Sequence, residues 1–404
     1  MLNDFLVLNL LNMAKIYYNR QYIDSKDKIV VLKALDENLI TGGKYVHNFE
    51  KKLKKVLKVK FAKSCINGTA ALHMAYEAID LKKNDVVIMP VINFVAAYSM
   101  ASLYKAKIYF ADVDYLTGQM TPETLINCIK KNKLKKIKAI ITMYMGGYPE
   151  NANKFFHLKK KYNFLIIEDA CHAFGARYNH AKNMQIGSCK YSDVCAFSFH
   201  PVKSITTGEG GLLTTNNKFY FNKIKKFGAH NIVRKNKYWD YDIGRLGFNY
   251  RLSDINCALG ISQLKKLSFF IKKRKEIFKI YKKNFKNITS ILTVPKYQTF
   301  DKASYHLFII RINFKYLKSK KNDLIKYLNK KNIFPQFHYK PLTEFNFLKN
   351  KIKLKDFSGA YNYYLNNISL PIYVNMKKSE VLKIIKYLRI FIKKRLPSSR
   401  INNI

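Results

Sequence analysis

The residues with the clearest chemical potential lie in one loop, FSFHPVKSITTGEGGLLTTNN (197–217), which carries Lys203. Serine, histidine and two threonines flank this lysine, and a tight glycine-rich run at 208–211 follows it. The loop contains no other lysine and no arginine, although the chain as a whole is rich in lysine. A lysine held in such a loop suits Schiff-base chemistry, which needs an amine whose pKa is lowered by its surroundings. We therefore take Lys203 as the candidate nucleophile.

A second candidate group stands at the end of an apolar run, in FLIIEDACHAFGARY (164–178). In an open parallel sheet, ligands bind beyond the carboxyl ends of the strands, so Asp169 would point into the site. This carboxylate can bind a metal, act as a base, or pair with a cationic nitrogen of a cofactor. Few other acidic residues lie nearby in the sequence, which makes a metal the weakest of the three, and we expect none.

The third candidate is the turn that leads into a helix in CINGTAALHMAYEAI (65–79). The first backbone N–H groups of a helix, with the hydroxyl of Thr69 beside Gly68, are typical of a phosphate site. An ordinary capped helix is the alternative interpretation of the same pattern.

Together the three groups indicate a site for pyridoxal phosphate. The phosphate would lie at Gly68 and Thr69, the pyridine nitrogen would pair with Asp169, and Lys203 would form the internal aldimine. Asp169 would keep the ring nitrogen protonated, so that the ring accepts the electrons released when the substrate α-proton leaves. Lys203, displaced by the substrate amine, would then carry that proton as general acid and base.

The elements that position these groups are short apolar runs separated by segments of helical length. The runs lie at 86–89, 107–110, 139–144, 164–167, 194–199 and 211–215. This alternation predicts an α/β fold with a mostly parallel central sheet and helices on both faces. After about Leu264 the pattern changes to lysine-rich helices and short strands, at 306–312 and 334–337. We therefore predict an N-terminal segment (1–26), a large cofactor-binding domain (27–263) and a smaller α+β C-terminal domain (264–404).

The charge is extreme, because 74 basic and 26 acidic residues give a formal net charge of +48. A nucleic acid or an anionic membrane would be one explanation. However, the lysines alternate with Leu, Val and Ile in stretches such as 51–60 and 130–138, which is typical of solvated helix surfaces. We predict no nucleic-acid and no membrane partner. A non-catalytic regulator or nucleic-acid binder on the same fold stays the less favoured alternative.

The cysteines and the N-terminus bear on the cellular compartment. No two of the six cysteines form a C-x-x-C pair, which predicts neither zinc nor a disulfide framework and favours a cytoplasmic protein. The apolar stretch 1–13 is too short to span a membrane. We expect it to be either a small extra helix or a segment preceding a true start at Met13.

Four segments in order carry a family resemblance: NGTAAL (67–72), EDACHAFGA (168–176), SFHPVKSITTGEGG (198–211) and GFNYRLSDINCALGISQLKKL (247–267). They resemble the DegT/DnrJ/StrS-type sugar aminotransferases of pyridoxal-phosphate fold type I, and the likeness extends from about residue 16 to 389. It implies a homodimer with active sites shared at the interface. It also implies transfer of an amino group from L-glutamate to a nucleotide-linked keto-sugar.

The resemblance also implies roles for single residues. Phe94 would stack on the cofactor ring, His172 would contact that ring, and Asn249 would reach the phosphate of the neighbouring subunit. The implied cofactor contacts are Gly68, Thr69, Phe94, Asp169, His172, Ser198, Lys203 and Asn249. Phe94 as a core residue is the competing interpretation.

Within the family, IYYNRQYIDSKD (16–27), SYHLFIIRINF (304–314) and FPQFHYKPL (334–342) resemble the transaminases of the pseudaminic acid pathway. This implies amination at C4 of a 4-keto-6-deoxy sugar, UDP-2-acetamido-2,6-dideoxy-β-L-arabino-hexos-4-ulose. The implied substrate contacts are Tyr18, Thr41, Gly42, Ser198, Asn249, His338, Tyr339 and Lys340. Tyr18 as a packing aromatic and His338 as an interface histidine are the alternatives.

Two other activities remain within the family. Another nucleotide-linked 4-keto or 3-keto sugar of surface-polysaccharide biosynthesis is one alternative substrate. Related enzymes that use the cofactor for sugar dehydration carry histidine where the lysine stands, so Lys203 argues against that reaction.

Overall fold

The computed structural model describes residues 15–181, 183–237, 239–285, 291–348 and 352–396. The apolar stretch 1–13, with its predicted helix, lies outside the described residues. The strands of the described chain are β1 (Ile16–Tyr17), β2 (Phe61–Cys65), β3 (Val86–Pro90), β4 (Lys107–Ala111), β5 (Ala139–Met143), β6 (Leu165–Asp169), β7 (Val194–Ser198), β8 (Gly211–Thr215), β9 (Ile232–Arg234), β10 (Tyr241–Ile243), β11 (Leu292–Thr293), β12 (Phe308–Ile312), β13 (Ile333–Phe334) and β14 (Asn367–Leu370).

The helices of the same residues are α1 (Ser25–Leu35), α2 (Lys44–Leu57), α3 (Gly68–Ala78), α4 (Val95–Leu103), α5 (Pro122–Lys131), α6 (Ala152–Tyr162), α7 (Lys218–Phe227), α8 (Asp254–Lys265), α9 (Leu267–Asn284), α10 (Lys321–Asn329), α11 (Ser358–Asn366) and α12 (Lys378–Lys393). Within the described ranges, no helix is both long and apolar enough to cross a lipid bilayer.

A seven-stranded sheet in the order β2-β8-β7-β6-β5-β3-β4 forms the centre of the described structure. The pairs β3–β4, β3–β5, β5–β6 and β6–β7 are parallel, while β7–β8 and β2–β8 are antiparallel. The predicted mostly parallel sheet is therefore confirmed. All five residues of β5 are buried, as expected for a strand covered on both faces.

The six apolar runs predicted as strands of the large domain are confirmed, with ends that differ by at most two residues. Strand β2, at one edge of the sheet, was not predicted. Its sequence FAKSC places a lysine at its centre and lacks the apolar continuity of the other strands.

Helix α2 shows where the lysines go. Phe49, Leu53 and Leu57 of this helix are fully buried. Lys51, Lys52, Lys54 and Lys55 of the same helix are exposed. This lysine-rich stretch is therefore a solvated helix face, as its spacing predicted.

A smaller antiparallel sheet, β11-β12-β14, lies in the C-terminal part of the chain. Its apolar residues share a core with α9 and α12, which contribute Tyr281 and Phe391. Ile16 of β1 joins the same core and pairs in parallel with Ile333 of β13. The domain boundaries at residues 26 and 263 stay a prediction.

Two strand predictions in this part were wrong at their ends. The predicted strand 334–337 is in fact β13, which ends at Phe334, because Pro335 follows and offers no backbone N–H. The predicted strand 306–312 begins only at Phe308. His306 and Leu307 instead donate their backbone N–H groups to the carbonyl of Gly146, at 2.9 and 3.3 Å.

Asp254 makes one long-range contact on which the fold depends. This first residue of α8 is fully buried, and its carboxylate accepts the backbone N–H groups of Gly43 and Tyr45 at 2.7 Å and of Val46 at 3.2 Å. Gly43 is the N-cap of α2 and has no side chain to do this itself. The carboxylate therefore caps α2 from a distant part of the chain.

We expect Asp254→Ala to lower the free energy of unfolding by about 3 kcal/mol, because three backbone N–H groups lose their acceptor. Urea unfolding followed by circular dichroism would measure this. The matched control is Asp301→Ala, whose exposed carboxylate pairs with Lys275 at 2.8 Å, so we expect a change under about 1 kcal/mol. Equal shifts for the two variants would contradict the capping role.

Candidate active site

A cavity of about 400 Å³ opens at the carboxyl ends of the central strands. Met143, Asp169 and Ser198 line it, and they are the last residues of β5, β6 and β7. The sheet therefore brings the ends of three neighbouring strands to one wall, as expected for an open parallel sheet.

Most of the predicted site residues meet in this cavity. Those that line it are Tyr18, Gly68, Thr69, Phe94, Asp169, His172, Ser198, Lys203, His338 and Tyr339. Thr41, Gly42, Asn249 and Lys340 do not line it. Cavity-lining residues that we did not predict as site residues include Asn67, Cys171, His200, Glu209 and His306.

Asp169 is a buried carboxylate with little compensation from the protein. Its Oδ1 accepts the backbone N–H of Cys171 at 3.2 Å. Burial raises the pKa of this carboxyl group, while hydrogen bonds from Cys171 and the charge of Lys203 oppose the rise. A cationic partner in the cavity would stabilise the ionised form.

The Lys203 loop is folded by its own backbone. The N–H of Lys203 donates to the carbonyl of His200 at 2.9 Å. The N–H of Phe199 donates to the carbonyl of Gly210 at 2.7 Å, and the carbonyl of Phe199 accepts the N–H of Thr207 at 3.0 Å. Burial lowers the pKa of the Lys203 amine, and Cys171 and Asp169 act in the opposite direction. The amine is therefore neutral over a wider pH range than an exposed lysine, which is what a nucleophile requires.

Helix α3 supplies the end of the cavity that suits a phosphate. Asn67 caps the helix by accepting the N–H of Ala70 at 2.8 Å. A Cβ atom on Gly68 would lie 3.0 Å from Cβ of Ser198 and 3.2 Å from Sγ of Cys171. A side chain at this position would therefore push the start of the helix and the strand ends apart by a few tenths of an ångström.

Three buried histidines from distant parts of the chain also line the cavity, His172, His306 and His338. The ring centroid of His172 lies 4.4 Å from that of His306 and 6.0 Å from that of His338. Burial lowers the pKa of all three, which keeps the cluster neutral. We did not predict His306, because nothing in the residues around it distinguishes it from a core histidine. Among the described residues, no cluster of acidic, histidine and cysteine side chains is arranged to hold a metal ion.

The predicted site residues that do not line the cavity form two groups. Thr41 forms a backbone bridge with Ser253, next to the segment of Asn249, and Thr41, Gly42 and Asn249 are all exposed. Lys340 instead places its Nζ over the ring of Phe345, 5.0 Å from the centroid. Within one chain, these residues therefore do not reach the site.

Residues 21–389 match the DegT/DnrJ/EryC1/StrS aminotransferase family. The chain belongs to this family.

One similar relative is the UDP-4-amino-4,6-dideoxy-N-acetyl-beta-L-altrosamine transaminase of Campylobacter jejuni, with 38% identity over 370 residues, covering 91% of this chain and 96% of the relative. Helicobacter pylori PseC, an aminotransferase involved in the biosynthesis of pseudoaminic acid, matches with a TM-score of 0.85 and 28% identity, over 94% of this chain and 100% of that chain. The PLP-form of the putative sugar aminotransferase Spr1654 from Streptococcus pneumoniae matches with a TM-score of 0.85 and 25% identity, over 95% and 100% of the two chains.

The predicted family, fold type I architecture, aminotransferase class and pyridoxal phosphate cofactor are thus confirmed. The residues present fit this cofactor. The buried carboxyl group of Asp169 suits a protonated ring nitrogen, and Gly68 and Thr69 line the cavity at the start of α3, where the backbone N–H groups of a helix suit a phosphate. The individual residue roles stay predictions.

The lowered pKa of Lys203 predicts how the cofactor-free protein takes up pyridoxal phosphate. Only the neutral amine reacts with the aldehyde, so the rate should rise with pH through the pKa of Lys203 and level off above it. The rise should lie at lower pH than for an exposed lysine, because burial disfavours the charged amine. Stopped-flow absorption over a pH series would measure this.

The many surface lysines also react with the aldehyde. The rate of that background reaction is measured with Lys203→Ala under the same conditions and subtracted. If the difference in rate between the native protein and Lys203→Ala rose only at the pH where an ordinary exposed lysine loses its proton, the lowered pKa of Lys203 would be wrong.

Proposed function

We propose that this aminotransferase passes an amino group from L-glutamate to C4 of UDP-2-acetamido-2,6-dideoxy-β-L-arabino-hexos-4-ulose. The product would be UDP-4-amino-4,6-dideoxy-N-acetyl-β-L-altrosamine, the compound in the name of the Campylobacter relative. The observation that carries the proposal is the single cavity that joins Lys203 and Asp169 to Tyr18, His338 and Tyr339. The last three belong to segments that resemble transaminases of the pseudaminic acid pathway.

Each residue of the cavity has a distinct task in this proposal. When bound, the cofactor carries the amino group between the two substrates and delocalises the electrons left by the departing proton. Asp169 holds the positive charge of the ring nitrogen, and the N-terminus of α3 binds the phosphate at Gly68 and Thr69. Lys203 bonds the cofactor at rest and moves the proton between carbons during turnover.

Phe94 and Ser198 complete the proposed cofactor site. Phe94 is 52% exposed, and its ring centroid lies 5.6 Å from that of Tyr339 at the edge of the cavity. An exposed aromatic ring beside the site is positioned to cover one face of a planar cofactor. Ser198 accepts the backbone N–H of His200 at 3.3 Å, which leaves its own hydroxyl proton for the cofactor phosphate or the substrate.

We further propose a homodimer in which each subunit completes the site of the other. Thr41, Gly42 and Asn249 form an exposed group outside the cavity of their own chain. Beside Thr41, the residues Ile29, Leu32, Leu35, Leu39 and Ile40 expose apolar side chains. A second copy covering this surface would bury the apolar residues and bring Asn249 to the phosphate of the neighbouring site. We place the enzyme in the cytoplasm, without a nucleic-acid or membrane partner.

The decisive assay separates the two half-reactions. L-glutamate added to the holoenzyme should remove the visible absorption of the lysine-bound cofactor and release 2-oxoglutarate, and the UDP-linked keto-sugar should restore the absorption. Mass spectrometry would identify the aminated sugar. If only another nucleotide 4-keto or 3-keto sugar restored the absorption, that sugar would replace the proposed substrate. Salt-sensitive DNA or RNA binding without either half-reaction would favour the non-catalytic alternative.

Lys203→Ala should lower turnover by on the order of 10³-fold or more, since the same amine is nucleophile and proton carrier. Asp169→Asn should both slow turnover and weaken cofactor binding, because the ring nitrogen loses its counter-charge. The matched control is Lys190→Ala, an exposed lysine outside the cavity, which should keep wild-type turnover. Wild-type turnover in Lys203→Ala would show that the lysine is misassigned.

Mixed subunits test the shared site. We expect Lys203→Ala and Asn249→Ala proteins to be weakly active alone and to recover about a quarter of wild-type activity when refolded in equal amounts. Half of the dimers are then mixed, and one of their two sites has both native residues. If the mixture showed only the average of the two parents, Asn249 would serve its own subunit.

A further inference from the structure

A chain of hydrogen bonds runs from the backbone of Gly146 through His172 to the hydroxyl of Tyr339. The N–H of Gly146 donates to Nδ1 of His172 at 3.4 Å, and Nε2 of His172 lies 2.8 Å from Oη of Tyr339. A backbone N–H can only donate, so Nδ1 accepts and the proton of the neutral imidazole is assigned to Nε2. Burial lowers the pKa of His172 well below its usual value, in agreement with a neutral ring.

The tautomer decides the direction of the next bond. Because Nε2 carries the proton, His172 donates to Tyr339, and the oxygen of Tyr339 is the acceptor. Among the described residues, His172 is the one protein partner of this hydroxyl. Because the oxygen of Tyr339 accepts from His172, its own hydroxyl hydrogen points away from His172. Tyr339 lines the cavity, so this hydrogen is available to a group bound in the site.

Both ends of this chain of hydrogen bonds are held in place by the C-terminal part of the protein. The carbonyl of Gly146 accepts the N–H of His306 at 2.9 Å, and Oγ of Ser304 donates to the carbonyl of His172 at 2.7 Å. The peptide before Tyr339 is held by Oη of Tyr363, which donates to the carbonyl of His338 at 2.9 Å. The chain of hydrogen bonds is thus preorganised before any substrate binds.

We propose that Tyr339 is the catalytic residue that passes a proton to the oxygen that the keto-sugar loses. The inference rests on the proposed aminotransferase function and assigns a proton step that Lys203 does not perform. Lys203 acts at carbon, whereas this step acts at oxygen.

The step balances without an external reagent. A double bond forms between the transferred nitrogen and C4 as the C4=O double bond breaks, and both of its electron pairs stay on oxygen. The oxygen gains two protons and leaves as water, while the nitrogen loses two. Tyr339 relays these protons one at a time, each time giving its own proton to the oxygen and regaining one from the nitrogen. The reverse sequence adds water when 2-oxoglutarate is released from the glutamate side.

His172 assists as a positioning residue. As the proton leaves, negative charge develops on Oη of Tyr339, and the Nε2–H of His172 already points at that atom. The other nearby histidines are arranged differently. Nδ1 of His338 is hydrogen-bonded to Oγ of Ser369 at 2.9 Å, and Nδ1 of His306 is buried with no hydrogen-bond partner in the described part of the chain.

The first test compares two proton steps in the holoenzyme of Tyr339→Phe. Turnover should fall about 100-fold, the usual contribution of a positioned acid. In D₂O, however, exchange of the Cα hydrogen of L-glutamate should continue at the wild-type rate, since that exchange needs Lys203 and no oxygen transfer. The matched control is Tyr297→Phe, which removes a buried hydroxyl that has no hydrogen-bond partner among the described residues and should leave both rates unchanged.

The outcomes separate the two proposals. If the wild-type enzyme showed neither turnover nor Lys203-dependent exchange with glutamate, the proposed function itself would fail. If exchange were present and Tyr339→Phe kept wild-type turnover, the role of Tyr339 would be overturned. An equal loss of exchange and turnover in Tyr339→Phe would also overturn it, because the hydroxyl would then support the cavity as a whole.

The second test needs neither turnover nor a variant of Tyr339. In the cofactor-free protein labelled with ¹⁵N-histidine, His172 should show a non-protonated Nδ1 and a protonated Nε2, with His172→Gln identifying its signals. The opposite tautomer, or a charged ring at neutral pH, would reverse the direction of the bond to Tyr339 and overturn the inference.

Discussion

The buried carboxyl group of Asp169 is the constraint around which the site is arranged. A carboxylate removed from water is costly unless a cation or several hydrogen bonds compensate it. The protein gives it the N–H of Cys171 and places the amine of Lys203 in the same cavity. A bound cation would add to this compensation, and the protonated pyridine ring of the cofactor is the cation that we propose for this place.

A second buried charge connects the site to the C-terminal part of the fold. Arg274 is 1% exposed, and its guanidinium donates to the carbonyls of His306 and Ile372 at 3.3 and 3.0 Å and to the side chain of Asn19 at 3.0 Å. Asn19 follows Tyr18, and both Tyr18 and His306 line the cavity. One side chain of α9 thus fixes two segments of the cavity wall that are far apart in sequence.

The sequence predicted the large sheet and the cofactor side of the site better than the rest. Lys203, Asp169 and Gly68 are recognisable because each lies at a strand end or helix start, where local sequence patterns carry positional information. His306 and the hydrogen bond from His172 to Tyr339 depend on contacts between distant segments, which no local pattern encodes. The short strands β1 and β13 were missed or misplaced for the same reason, because each exists only by pairing with the other.

The parallel pairing of β1 with β13 has a consequence for biosynthesis. Ribosomes add residues in order, so the first strand emerges long before the partner that satisfies its backbone. Tyr18, which directly follows β1, and Tyr339, which lies just beyond β13, reach the same cavity only after most of the polypeptide has been made. The central sheet is complete at Thr215, well before that point. Translation therefore completes the strands that end in Asp169 and Ser198 well before it adds Tyr339, the residue proposed to act on the sugar oxygen.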